Sequence, residues 1–305
     1  MKKILSPHSR LTIFLGDIVR HLPARWVGSF SKWVGRFIYF VRPKRRREVQ
    51  RAYEVLCRKA NLERDPKQLT RTFFECQLML MTGAYSMREQ PEQRFYELCE
   101  TQGLDNVRKL ACLGKGLLVV TFHFGTHLLS FVKLEQEGFS VTTVRPLWMK
   151  DLEGKKLRRM LFIDRETIYA GEGDGLASPV RSIVRALKDG KIVGFAPDGD
   201  QGGAMTEMPL LGGLYPMRRG LFEIVRLARC PVVYAQGIVR NRKYYIWYST
   251  PMEPPTDGNI ENFLEELWLF LQKRFEQFIR DYPESVWWTK PMEIALNLRK
   301  RGQSS

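Results

Sequence analysis

Two of the four histidines in this 305-residue chain, His123 and His127, stand four residues apart with Gly125 between them. They follow the apolar run Leu117-Leu118-Val119-Val120-Thr121-Phe122. A strand that delivers a histidine at its carboxyl end places it where α/β proteins put chemistry, because strand ends are rigid and open onto a crevice. An imidazole that titrates near neutrality can take the proton of a hydroxyl attacking a thioester, which makes His123 the candidate general base. His127, one helical turn on, is a candidate contact for substrate. A His-x3-His pair can also hold zinc, but no Glu follows His123 and no third ligand suggests itself, so neither metal nor cofactor is expected. Arg145 precedes Pro146 at the end of a second apolar run, and a guanidinium there can hold a phosphate bidentately. Asp198 and Asp200 flank Gly199 after a third. Carboxylates in such a turn can bind a cation, cap a helix or polarise a histidine.

These residues need a scaffold that brings strand ends together. The patterns predict strands over 116–122, 141–147, 192–197, 231–239 and 244–249. They predict helices over 127–137, 152–161, 179–189, 217–229 and 260–280, and a helical region over 48–112 without strand patterns. Alternation with short connections implies an α/β fold, a mostly parallel central sheet flanked by helices, with an N-terminal amphipathic helical arm. In that arm, residues 24–41 place Trp26, Val27, Phe30, Trp33, Val34, Phe37, Ile38 and Val41 at helical spacing, and Arg42-Pro43-Lys44-Arg45-Arg46-Arg47 follows at once. Such a helix either docks on a core or lies in a membrane interface, where indole rings and cations both find partners. The expected division is an arm over 1–47, an α/β domain over 48–292 and a basic tail over 293–305.

Composition narrows the partners. Lys and Arg number 49 against 33 Asp and Glu, a net charge of +16, which calls for an anionic partner. Nucleic acid is not expected, because no aromatic RNA-binding strand, zinc finger or helix-turn-helix pattern accompanies the charge. Five scattered cysteines without a CxxC spacing argue against disulfides and for a reducing, cytosolic setting. No run of eighteen uncharged apolar residues occurs, so a spanning helix is not expected. Leu11 to Val19 is too short to span, and no cleavage pattern follows it.

Five blocks in order carry a resemblance: His123-Phe-Gly, Val144-Arg145-Pro146-Leu147, Phe195-Ala-Pro-Asp198-Gly-Asp200, Leu210-Leu-Gly-Gly213 and Tyr282-Pro-Glu-Ser-Val-Trp287-Trp288. Together with the amphipathic arm they resemble the bacterial lipid A biosynthesis acyltransferases of the lysophospholipid acyltransferase superfamily, over roughly residues 10–290. The resemblance implies an enzyme at the cytoplasmic face of the inner membrane. Its donor would be the thioester of an acidic acyl or aminoacyl carrier protein, or of coenzyme A, and its acceptor a hydroxyl of an anionic glycolipid such as lipid A. His123 matches the family's catalytic histidine, Arg145 the arginine of the second block and Asp198 the aspartate of the third. One departure stands out: five residues after His123, where the family carries an orienting Asp or Glu, this chain has Leu128. Loss of such a carboxylate costs on the order of several thousandfold in rate in comparable catalytic groups. Either Asp198 or Asp200 serves the histidine instead, or the mechanism has been rebuilt for another group such as glycyl, or the chain is a lipid-binding pseudoenzyme of the same fold. A glycine-transferring type of the family resembles this chain in lacking the usual pair. Retention of His123, Arg145 and Asp198 speaks for catalysis.

Overall fold

A computed structural model of the chain describes residues 7–161, 163–170, 177–198, 205–256 and 258–286. The N-terminal part is helical. It comprises α1 (Pro7–His21), α2 (Ala24–Val41), α3 (Pro43–Ala60) and α4 (Pro66–Met87). Prolines open α3 and α4 where a missing N–H does no harm, and the Asp65 carboxylate caps α4 by accepting from the amides of Lys67 and Gln68.

Helix α2 docks on α4 through small residues. Val27, Gly28, Ser31 and Gly35 form its buried stripe, and Ser31 Oγ donates to the Glu75 carbonyl over 2.9 Å. A Cβ on Gly35 would sit 2.0 Å from the Phe74 carbonyl oxygen, so only glycine permits this approach. The larger rings are turned outward: Trp33 is 68% exposed and Phe40 71%, with Trp26 and Phe37 also exposed. Phe30, Val34 and Ile38 are partly buried against the core. The expected boundary at residue 47 falls inside α3, and α1 and α2 both lie along α4. The tail over 293–305 lies outside the described residues.

The remaining chain builds the sheet. Helix α5 (Glu92–Leu98), β1 (Cys99–Gln102) and α6 (Leu104–Cys112) lead to β2 (Leu117–Val120), α7 (Leu129–Gln136) and β3 (Val141–Pro146). A short 3-10 turn (Leu147–Met149), α8 (Lys155–Met160), β4 (Thr167–Ala170), α9 (Ala177–Lys188) and β5 (Ile192–Phe195) follow. The antiparallel hairpin β6 (Met205–Leu210) and β7 (Gly213–Arg218) precedes α10 (Gly220–Ala228), β8 (Val232–Arg240), β9 (Lys243–Tyr248) and α11 (Ile260–Asp281). Strand order in the seven-stranded sheet is β1-β9-β8-β2-β5-β3-β4, parallel throughout except between β8 and β9. Every residue of β2 and β5 is buried, as expected of central strands covered on both faces. One face packs under α11 through Leu267, Leu271 and Phe275, and the other packs under α7 through Leu129, Val132 and Leu134.

Thus the α/β class and the mostly parallel sheet stand as expected, with four strands added. The region 48–112 holds β1, a four-residue edge strand of polar sequence, and β4 is an equally short edge. The β6–β7 hairpin contains Pro209 and Pro216, which weaken a strand pattern. It also corrects the helix expected over 217–229, which begins only at Gly220 because Gly213–Arg218 is extended.

Candidate active site

Sheet register sets the site. Val120 of β2 lies opposite Phe195 of β5, and the Thr121 amide donates to the Phe195 carbonyl over 3.0 Å. His123 and Asp198 each follow those paired residues by three positions, so two adjacent parallel strands bring them level at one edge. The turn beyond His123 is pinned by backbone. The Gly125 amide donates to the Ser285 carbonyl over 3.0 Å, and that of Thr126 to the Gly237 carbonyl over 2.7 Å. Gly125 has a φ of +55°, and a Cβ there would meet the Gly237 carbonyl oxygen at 2.2 Å, so the residue must be glycine.

Asp198 is the hub. Its side chain has 0% exposure, and three donors converge on it. The His123 amide reaches Oδ2 over 2.8 Å, the Tyr215 hydroxyl reaches Oδ2 over 2.7 Å, and His123 Nδ1 lies 2.9 Å from Oδ1. With Nδ1 committed to the carboxylate, Nε2 is the ring nitrogen left for other chemistry, and 38% of the side-chain surface is open. Burial pulls the His123 pKa down, but the charge and hydrogen bonds of Asp198 outweigh it, and the net shift is upward from 6.5 despite opposition from Arg145.

Arg145 and His127 complete the surroundings. The two imidazole rings lie 4.8 Å apart, tilted by 59°. Burial, then the charges of His123 and Arg145, hold the His127 pKa well below 6.5, so this ring is neutral at physiological pH. Arg145 sits at the end of β3, on the other side of β5 from His123. Its Nε and Nη2 are buried and have no partner among the described residues. Burial lowers its pKa to about 10, which leaves it charged. A desolvated cation without a counter-charge is costly, and two free N–H groups on one guanidinium suit a bidentate oxyanion.

With this geometry in place, comparison with protein families is decisive. The family model described as bacterial lipid A biosynthesis acyltransferase matches residues 2–292. The chain belongs to that family. Membership implies acyltransferase activity directed at lipid A. Comparison with curated proteins gives no match. The structure brings His123, Asp198, Arg145 and His127 of this family member together at the carboxyl ends of β2, β5 and β3, while Asp200 lies outside the described residues. Leu128 carries no polar group to the site; it packs against the apolar cluster beneath α7. No group of three or more His, Cys, Asp or Glu among the described residues is placed to hold a metal ion. Tyr215 is the residue that reading the sequence missed. Two extended runs flanking Leu211-Gly212, a hairpin pattern, were the available signal.

Proposed function

We propose that this protein transfers an acyl group, fatty or glycyl, from a carrier-protein thioester to a hydroxyl of lipid A, with His123 as general base and Asp198 as its orienting carboxylate. The 2.9 Å contact between His123 Nδ1 and Asp198 Oδ1 carries the reading. Asp198 fixes the tautomer with its proton on Nδ1, so Nε2 can accept the hydroxyl proton as the oxygen attacks the thioester carbonyl. The tetrahedral intermediate then collapses, the C–S bond breaks, and the imidazolium returns its proton to the departing thiolate. Asp198 stabilises that imidazolium, the task that Leu128 cannot perform. Arg145, with neutral His127 beside it, holds an anionic group of the glycolipid.

The same reading places the protein at the cytoplasmic face of the inner membrane, as a peripheral partner. Support comes from the aromatic stripe of α2, which faces away from the core, and from exposed Arg42, Lys44, Arg45 and Arg47 at the start of α3. No helix among the described residues is long and apolar enough to cross a membrane. The +16 charge suits an acidic carrier protein as well as anionic lipid. Mass spectrometry of lipid A from cells with and without the gene tests the assignment. A mass increment of one fatty acyl or one glycyl unit supports transfer and tells the two apart, and identical lipid A overturns it.

A further inference from the structure

We propose that Tyr215 is the positioning residue of the His123–Asp198 pair, holding the carboxylate so that one oxygen is reserved for the imidazole. The inference rests on the reading of His123 as base. Tyr215 is fully buried, and its hydroxyl donates to Asp198 Oδ2 over 2.7 Å. That oxygen also accepts from the His123 amide, so Oδ2 is occupied twice and Oδ1 faces Nδ1. The phenol comes from a different element, the β6–β7 hairpin, and the hairpin is tied to the Asp198 backbone. The Arg218 amide donates to the Pro197 carbonyl over 2.7 Å, and Met217 forms an antiparallel bridge with Asp198. Carboxylate and phenol thus belong to one hydrogen-bonded unit.

The ring is held as firmly as the hydroxyl. Its centroid lies 5.3 Å from that of Phe275 and 6.4 Å from that of Phe122, within the same core cluster. Burial, then the neighbouring Asp198 charge, raises the Tyr215 pKa well above 10, so the phenol remains a donor across the working pH range. Tyr234 provides a contrast in the same cluster, since its hydroxyl donates to Gln236 Oε1 over 3.0 Å instead of to Asp198. Among the described residues, the charged and titratable groups around His123 are Asp198 from the end of β5, Arg145 from β3 and His127 from its own turn, with Tyr215 from β7 and Tyr234 from β8 near the carboxylate.

A donor on Oδ2 spreads the carboxylate charge and weakens its hold on the imidazolium. Removing the donor should therefore raise the His123 pKa. In Tyr215→Phe, NMR titration of isotope-labelled histidine should place His123 higher by about half a unit to one unit. The acid limb of kcat/KM for transfer to lipid A should move up with it, and kcat should fall roughly 10- to 100-fold, as for other partners that orient a reacting group. Tyr234→Phe removes an equally buried hydroxyl and should leave the His123 titration where it was. A merely structural Tyr215 would lower the melting temperature without moving the titration, and an unmoved titration overturns the proposal. Should Tyr215→Phe fail to fold, a ring-fluorinated tyrosine at position 215 keeps the shape and strengthens the donor. It must then shift His123 downward, and no shift again overturns the inference. Retained transfer in His123→Ala would sink the general-base reading separately, because the NMR titration reports the coupling whether or not His123 is catalytic.

Discussion

Asp198→Asn is the sharpest perturbation of this site, because the amide keeps the shape and changes only what each atom can accept. Three donors now meet two carboxylate oxygens: the His123 amide at 2.8 Å, the Tyr215 hydroxyl at 2.7 Å and Nδ1 at 2.9 Å. An amide has one acceptor oxygen. If that oxygen faces Nδ1, the NH2 group confronts a backbone N–H that can only donate, and a buried donor left unpaired costs about 1–3 kcal/mol. The favoured orientation therefore keeps the oxygen toward the His123 amide and Tyr215, and turns the NH2 toward Nδ1. Nδ1 must then accept, and its proton moves to Nε2, the nitrogen that should receive the hydroxyl proton. The equivalent change in serine proteases lowers kcat by about four orders of magnitude. We expect a loss of roughly 10³- to 10⁴-fold here, about 4–5.5 kcal/mol in the barrier. The acid limb should also move down, because burial and Arg145 would remain without the opposing carboxylate. The assay is the rate of labelled acyl transfer from thioester to lipid A in mixed micelles across pH, with circular dichroism to verify folding. A variant within about tenfold of wild type, with an unmoved acid limb, would refute the reasoning.

Other expectations follow from the same geometry. His123→Ala should abolish transfer in a folded protein, and combining it with Asp198→Asn should add little, because the two act as one unit; additive losses in the steady-state rates would contradict this. Arg145→Lys should raise KM for the anionic glycolipid by about 10-fold or more with a smaller effect on kcat, since a point charge cannot reproduce the Nε–Nη2 fork. His127 is depressed by burial and by its cationic neighbours, so the folded state resists a proton that the unfolded chain accepts. Stability should fall as pH drops below 6.5, and His127→Gln should lessen that fall in melting temperatures measured from neutral to acidic pH. Trp33→Glu combined with Phe40→Glu should move the protein from sedimented anionic vesicles to the supernatant, whereas salt alone should release only part of it. Leu128→Glu should not raise activity and should lower the melting temperature, because it places a charge against the apolar cluster under α7.

The parts legible in the sequence are those where one physical demand dominates. Strands β2, β5 and β8 are buried on both faces, so their apolar runs announce them. His123, Arg145 and Asp198 stand out because each ends or follows such a run, and parallel strands open their carboxyl ends on one edge. Edge strands β1 and β4 carry no comparable demand, and their four residues each leave little pattern. The β6–β7 hairpin is obscured by Pro209 and Pro216, and Tyr215 with it, since a buried tyrosine between strand residues looks like packing until its hydroxyl partner is located. In α2 the helical spacing was plain, but its orientation was not. Large rings usually define the buried face, and here small residues do so: Ser31 and Gly35 let α4 approach closely, and Gly28 admits the backbone of Arg242 in the turn between β8 and β9.

The position of the carboxylate has a mechanical consequence. A residue five after the histidine would sit at Leu128, which caps α7 after the turn formed by Gly125–Leu128, so its reach to His123 would depend on that turn. Asp198 instead follows β5, whose register with β2 is fixed by the hydrogen bonds of a central, fully buried strand pair. Its Oδ2 additionally accepts the His123 amide, so the backbone that carries the proposed base is bonded to the carboxylate proposed to orient it. Side chain and main chain of one residue are therefore set by a single carboxylate, and the hairpin bearing Tyr215 holds that carboxylate from behind. Alignment of His123 with Asp198 then follows from sheet register, which tolerates no slip of one residue, while α7 is left free to use Leu128 for packing.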